Sequence, residues 1–385
     1  MISLTKTILP GQTIGIIGGG QLGQMMALEA KSMGFRVIVL DPTPDCPTGQ
    51  VADEQIVAAY TNLSAIMELA QKSDVITYEF ENIDADALDW LTKNAYVPQG
   101  TDILRMTQNR IYEKEAIQKA GVPVAPYEVI MNEQDLNIAL EKIEPPAVLK
   151  TATGGYDGKG QWVIKDFTDR NEAATLFTHG PCVLEKWVPF TKEISVIITR
   201  NLHGDTAILP VGENIHHNNI LHQTIVPARI REQTEKLAIH AATKIADFLH
   251  LVGTLAVEMF VTEDGEVFIN ELAPRPHNSG HYSIEACETS QFEQHIRAIC
   301  NWPLGATSLL KPAVMVNILG EHVEPLLENL HHFKDWKIHL YGKKEAKTGR
   351  KMGHITRLCD SMNEALLHID ANNIWKIQKV TGASK

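Results

Sequence analysis

The chain has 385 residues, 44% hydrophobic and 21% charged, with a formal net charge of −12. That length exceeds one ordinary core and points to two or three domains. The acidic balance argues against nucleic acid as a partner, and no apolar run approaches the roughly 18 residues of a membrane-spanning helix. Five cysteines without a CxxC pair fit reduced thiols in a cytoplasmic protein.

The first hundred residues alternate apolar runs (TIGIIG, RVIVL, QIVAA, DVITYEF) with helical periodicity over 21–34, 62–72 and 84–94. Alternation of this kind predicts a parallel sheet with right-handed crossovers and ligands at the carboxyl ends of the strands. That rim holds GGGQLG (Gly18–Gly23), Asp41 and the YEFENI stretch with Glu81. Taken locally, Gly18-x-Gly20-x-x-Gly23 opens a helix after a strand, with Asp41 a suitable distance on, which fits a dinucleotide-binding turn. A helical stretch over 101–120 ends at Ala120-Gly121-Val122-Pro123. We place the first domain at 1–110.

From 111 to 310 the pattern is mixed. VLK (148–150), CVLEKWV (182–188), an antiparallel pair EISVIIT and TAILPV, a helix over 231–250, and the strands GTLAVEMFV and EVFINELAP follow in turn. From 311 to 385, AVMVNILG, KIHLYGK and GHITRLC read as strands of a small β-rich cap.

Two features carry chemistry. Gly154-Gly-Tyr-Asp-Gly-Lys-Gly160 lies between two strands, downstream of Lys150. Its backbone N–H groups and ammonium groups suit phosphate, although the spacing is not that of a Walker loop and a flexible hairpin would look the same. Glu258 and Glu271 end two adjacent apolar strands, and with Asn270 they form the all-oxygen set that Mg2+ prefers. The rigid polar loop APRPHNSGH after Glu271 has no evident packing purpose.

Lys150, GGYDGKG, EKWV (185–188), Glu193, the VEMF acid and NELAPRPHNSGH together resemble the ATP-grasp ligases. From GGGQLG through YEFENI to GRKMGH, the chain resembles the N5-carboxyaminoimidazole ribonucleotide synthetases of purine biosynthesis. The resemblance implies an α/β fold: a Rossmann-like parallel-sheet domain, an ATP-grasp domain with a mobile lid over about 125–190, and the C-terminal cap. It also implies the activity, in which ATP phosphorylates bicarbonate and carboxyphosphate carboxylates 5-aminoimidazole ribonucleotide. Arg110, Lys150 and Gly154, Gly155, Tyr156, Asp157, Gly158, Lys159 and Gly160 would face the phosphates. Glu185 and the backbone of Lys186, Trp187 and Val188 would take adenine, Glu193 the ribose, and His216 would border the nucleotide. Glu258 and Glu271, beside Asn270, would hold Mg2+, with two ions implied.

The ribonucleotide would meet Gly20, Gln21, Leu22, Glu81, Tyr156, Asp157, Arg275, His277, Asn278, Ser279, Lys343 and Arg350. Asp157, Arg275 and Lys150 are the catalytic candidates. On this reading GGGQLG serves the ribonucleotide, Asp41 is an ordinary strand-end acid, and neither NAD nor biotin is a cofactor. The small-molecule substrates would be the partners, with a homodimer implied and no nucleic acid or membrane. The alternatives are a formate-dependent glycinamide ribonucleotide transformylase, a biotin carboxylase, or a nicotinamide oxidoreductase built on GGGQLG.

Overall fold

A computed structural model describes residues 6–155 and 159–375. The first sheet contains β1 (Thr13–Ile17), β2 (Arg36–Leu40), β3 (Glu54–Ile56) and β4 (Val75–Tyr78), all parallel in the order β3-β2-β1-β4. Alternate residues of β1 face opposite sides. Ile14 and Ile16 pack with Met25 and Met26, whereas Ile17 joins Ile66, Leu69 and Leu91. Apolar runs buried on both faces are what a helix-covered parallel sheet requires. Its helices are α1 (Gln21–Ser32), α2 (Leu63–Lys72) and α3 (Ala85–Asn94).

The stretch expected as one helix over 101–120 is two, α4 (Asp102–Thr107) and α5 (Arg110–Lys119). Asn109 divides them: its backbone is extended and its side chain accepts the Ile111 N–H at 2.9 Å, capping α5. QIVAA is strand only to Ile56.

The next sheet is antiparallel, with β5 (Tyr127–Ile130), β6 (Ala147–Thr151), β7 (Gln161–Ile164) and β8 (Cys182–Lys186) in the order β5-β8-β6-β7. This is the sheet expected as the lid, and it has its own core of Ile130, Leu136, Leu140, Leu149 and Leu184.

The largest sheet has nine strands: β9 (Phe190–Arg200), β10 (Thr206–Ile208), β11 (Gly212–His217), β12 (Ile220–Val226), β13 (Gly253–Thr262), β14 (Val267–Ala273), β15 (Ala313–Leu319), β16 (Trp336–Leu340) and β17 (Lys351–Leu358). The helix Glu232–Phe248 lays Ala238, Ala242 and Ile245 on Val196, Leu255 and Val257 of this sheet. The C-terminal strands do not stand apart. β15 pairs with β12, from Gln223 opposite Val316 to Val226 opposite Ala313, so the cap continues the central sheet.

Candidate active site

A cleft of about 280 Å³ opens between the lid and the central sheet, lined by Lys150, Glu185, Trp187, Glu193, Glu258 and Glu271 among others. β13 and β14 pair antiparallel with Glu258 directly opposite Glu271, and the register slips immediately after Glu258. Directly opposed residues share a face of the sheet, so both carboxylates line the cleft from inside their strands rather than from the strand ends expected. Burial pushes Glu258 up to about 7, and the facing Glu271 adds to the rise. Two acids in this relation call for a cation.

Cations gather on the lid side. Glu185 is buried between Lys114 Nζ, 3.1 Å from Oε1, and Lys150 Nζ, 3.2 Å from Oε2. Burial alone would raise its pKa, but Lys150, Lys114 and Arg110 together hold the carboxyl below the ordinary value. Lys114 and Lys150 share the Glu185 carboxylate, and burial lowers the pKa of Lys150, with Lys114 and Arg110 contributing. Lys150 also donates to Asn270 Oδ1 at 3.3 Å, while Arg110 Nη1 reaches Glu271 Oε2 at 3.5 Å. Gly154 and Gly160, at the ends of the glycine loop, have φ of +77° and +71°, where side chains fit poorly. Tyr156, Asp157 and Gly158 lie outside the described residues.

The N–H groups of Lys186 and Trp187 are engaged by the Pro126 and Pro146 carbonyls at 2.8 and 3.1 Å, so neither is turned to a base. Glu193 pairs with His216 at 3.3 Å. Burial opposes a charge on that ring, but Glu193 outweighs it and raises the pKa. Phe190 and Phe260 stack at 4.4 Å along the cleft wall.

The opening glycine turn holds its own anion. Glu79, at the end of β4, accepts the Gly20 N–H and, at 2.7 Å, the Gly23 N–H. A Cβ on Gly20 would lie 2.5 Å from the Glu79 carboxylate, and one on Gly23 would lie 2.8 Å from the Gly18 carbonyl. Gly18 alone of the three has positive φ, at +101°. The spacing therefore serves one left-handed residue and two close approaches. Asp41 is more than a strand-end acid, because it accepts N–H groups from Gly19 and Thr43 at 2.8 and 2.7 Å, and the Tyr60 hydroxyl.

On the ribonucleotide side, Arg275 Nε sits 2.7 Å from Glu81 Oε1. Ser279 N–H donates to His277 Nδ1 at 3.3 Å, leaving Nε2 to face Glu258 at 3.4 Å. Ser279 is fully buried and braces His277 rather than lining the cleft, whereas Asn278 does line it and donates to Asn317 at 3.0 Å. Lys343 is half-buried, donates to the Lys351 carbonyl at 2.7 Å and lies over the Tyr341 ring. Lys344 turns away to Pro44 and Asp45. Arg350 donates to the Glu345 carbonyl at 3.0 Å.

Family models cover most of the chain: a ribonucleotide synthetase preATP-grasp domain over 11–108, an ATP-grasp domain over 115–292 and a phosphoribosylaminoimidazole carboxylase C-terminal domain over 313–367. The N5-carboxyaminoimidazole ribonucleotide synthase of Bacillus subtilis is 56% identical over 370 residues, 96% of this chain and 97% of that one. The chain belongs to the N5-carboxyaminoimidazole ribonucleotide synthase family. An ADP complex of such a synthetase is 60% identical with a TM-score of 0.94, covering 96% of this chain and 98% of that one. A synthase from Aspergillus clavatus, in complex with ADP and 5-aminoimidazole ribonucleotide, is 32% identical with a TM-score of 0.87, covering 94% and 97%. This member of the synthase family is an ATP-grasp ligase.

Several residues of this synthase-family cleft escape a reading of motifs. Phe260 lies two positions past Glu258, on the same face of β13 by the two-residue strand period, and that signal was available. Lys114 and Glu113 offered only a polar helix. Glu113 is buried and accepts the Leu272 N–H at 2.6 Å, tying α5 to the strand that carries Glu271.

Proposed function

We propose that this cleft performs the family reaction, the ATP-dependent carboxylation of 5-aminoimidazole ribonucleotide by bicarbonate, with the following division of labour. Phosphoryl transfer needs positioning and charge neutralisation rather than a covalent partner. Lys150, Arg110 and the loop 154–160 face the phosphates, and the cleft wall of Phe190 and Phe260 takes the base. Glu258 and Glu271, with Asn270 beside them, hold Mg2+; the facing carboxylates and the raised pKa of Glu258 fit a divalent cation. When bound, Mg2+ neutralises charge on the transferring phosphoryl group. With two carboxylates and an amide from the chain, nucleotide oxygens would complete the coordination.

A bicarbonate oxygen bonds to the γ-phosphorus as the bond to ADP breaks, giving carboxyphosphate. The exocyclic amine then attacks its carboxyl carbon, phosphate leaves, and the amine nitrogen gives up a proton. Arg275 and Glu81 meet the aminoimidazole side, with Asp157 and Tyr156 from the loop, while Lys343 and Arg350 take the 5′-phosphate. Gly20, Gln21 and Leu22 border the ribose. Closing the lid sheet shields carboxyphosphate from water. We further propose three functional units, 1–110, 111–310 and 311–385, in a cytoplasmic homodimer, with neither NAD nor biotin required. No described helix is long and apolar enough to cross a membrane, and all five cysteines are buried free thiols.

The observation that carries this reading is the pairing of Glu258 with Glu271 beside the Lys150–Asn270 contact. The experiment is ADP release measured with ATP and aminoimidazole ribonucleotide, with and without bicarbonate. Release that ignores both co-substrates would overturn it.

A further inference from the structure

The loop that carries Arg275 and His277 rests on a residue that contributes no atom to the cleft. Gln291 opens the helix Gln291–Ile299 and is completely buried. Its side-chain carbonyl accepts the His277 N–H at 2.9 Å, and its amide nitrogen donates to the His277 carbonyl at 2.7 Å. One side chain thus satisfies both main-chain groups of a loop residue, as a neighbouring strand would. The same nitrogen lies 3.2 Å from His281 Nδ1, where the loop ends. Gly280 packs so close to this amide that a Cβ would collide with it.

The support is itself anchored. Gln291 donates its own N–H to Ser283 Oγ at 3.0 Å, and its carbonyl accepts from Thr254 Oγ1 at 3.4 Å. Thr254 lies on β13, the strand that bears Glu258. Phe292, Ile296 and Ile299 of the same helix pack into the core shared with α1. Gln291 therefore joins the first domain, the metal strand and the loop at one point.

We infer that Gln291 is a positioning residue for the carboxylation, setting the 275–281 loop so that Arg275 and His277 meet the ribonucleotide while Gln291 touches neither substrate. The chemistry requires an amide. Glutamate would set a second oxygen against the His277 carbonyl, and an apolar side chain would leave a buried N–H and C=O unpaired. The inference rests on the reading of Arg275 as a ribonucleotide contact.

The test is steady-state kinetics of full-length Gln291→Met and Gln291→Glu, varying ATP and the ribonucleotide separately, with calorimetry of ADP binding. Either change should raise KM for the ribonucleotide about tenfold or more, as loss of a buried hydrogen-bond pair implies. KM for ATP and the Kd of ADP should rise several-fold less, because Gln291 reaches the nucleotide cleft only through the 277–278 stretch, where His277 faces Glu258. Unchanged ribonucleotide kinetics in a folded variant, or equal losses for both substrates, would overturn the role. Should Gln291→Met fail to fold, Gln291→Glu and Gly280→Ala, which displaces the amide from the loop side, carry the same comparison. Arg275→Ala is measured alongside. A normal ribonucleotide KM there removes the site reading and this inference with it. A raised value there with normal Gln291 variants removes only the role of Gln291.

Discussion

Use of the ribonucleotide should fall away above about pH 8, and Lys343 is the reason. Burial pushes its ammonium down to about 8, Arg350 and Lys351 add to the fall, and Glu79 opposes it. A phosphate is bound by the charged form through a charge-assisted hydrogen bond. Each pH unit above that pKa leaves about a tenth of the charged form, so kcat/KM for the ribonucleotide should drop about tenfold per unit, or roughly 1.4 kcal/mol. The value for ATP should not follow, since Lys343 is outside the nucleotide cleft. Lys343→Arg remains charged throughout, so its profile should be flat over the same interval, at a lower overall rate. Lys343→Met should lose the contact at every pH, about 1.5–3 kcal/mol or roughly 10–100-fold. The assay is ADP release at saturating ATP from about pH 6.5 to 9.5. A flat wild-type profile, or an identical decline in Lys343→Arg, would refute the reasoning.

Glu271→Gln should keep its fold and lose ATP turnover by several kcal/mol of barrier, since half of the facing carboxylate pair is gone; turnover near wild type in a folded variant would remove Glu271 from the metal site. Gly20→Val should push Glu79 off the turn and impair ribonucleotide use while ADP still binds, as read by calorimetry with each ligand. The same experiment should show no saturable NADH binding to the wild type, and tight NADH binding would restore the dinucleotide reading. Lys114→Met strips one partner from a buried carboxylate, so stability to urea should drop by about 3–5 kcal/mol. An unchanged midpoint would mean that Lys150 and Arg110 neutralise Glu185 unaided.

Much of the architecture was legible because its elements carry strong periods. The parallel sheet announced itself as TIGII, RVIVL and VITY, continuous apolar runs that only two-sided burial explains. β11 did not, because GENIHH is mostly polar and its inner residues Glu213 and Asn214 are buried through partners no sequence shows, such as Arg229 and Thr224. The two acids Glu258 and Glu271 read as strand ends in the sequence, but they stand inside β13 and β14, and their pairing needed the register and its bulge. What the glycine turn holds was not legible, because Glu79 is 59 residues from Gly20 in sequence and in contact with it only in the fold.

That self-supplied carboxylate has a consequence for product release. A helix N-terminus with open N–H groups is a ready sink for inorganic phosphate, and this reaction generates phosphate at every turnover. With Glu79 seated on Gly20 and Gly23, two of those N–H groups are already taken by a ligand that cannot diffuse away. Phosphate set free at each turnover would be met instead by the basic groups around Lys150 and around Lys343 and Arg350, so it should oppose ATP as well as the ribonucleotide.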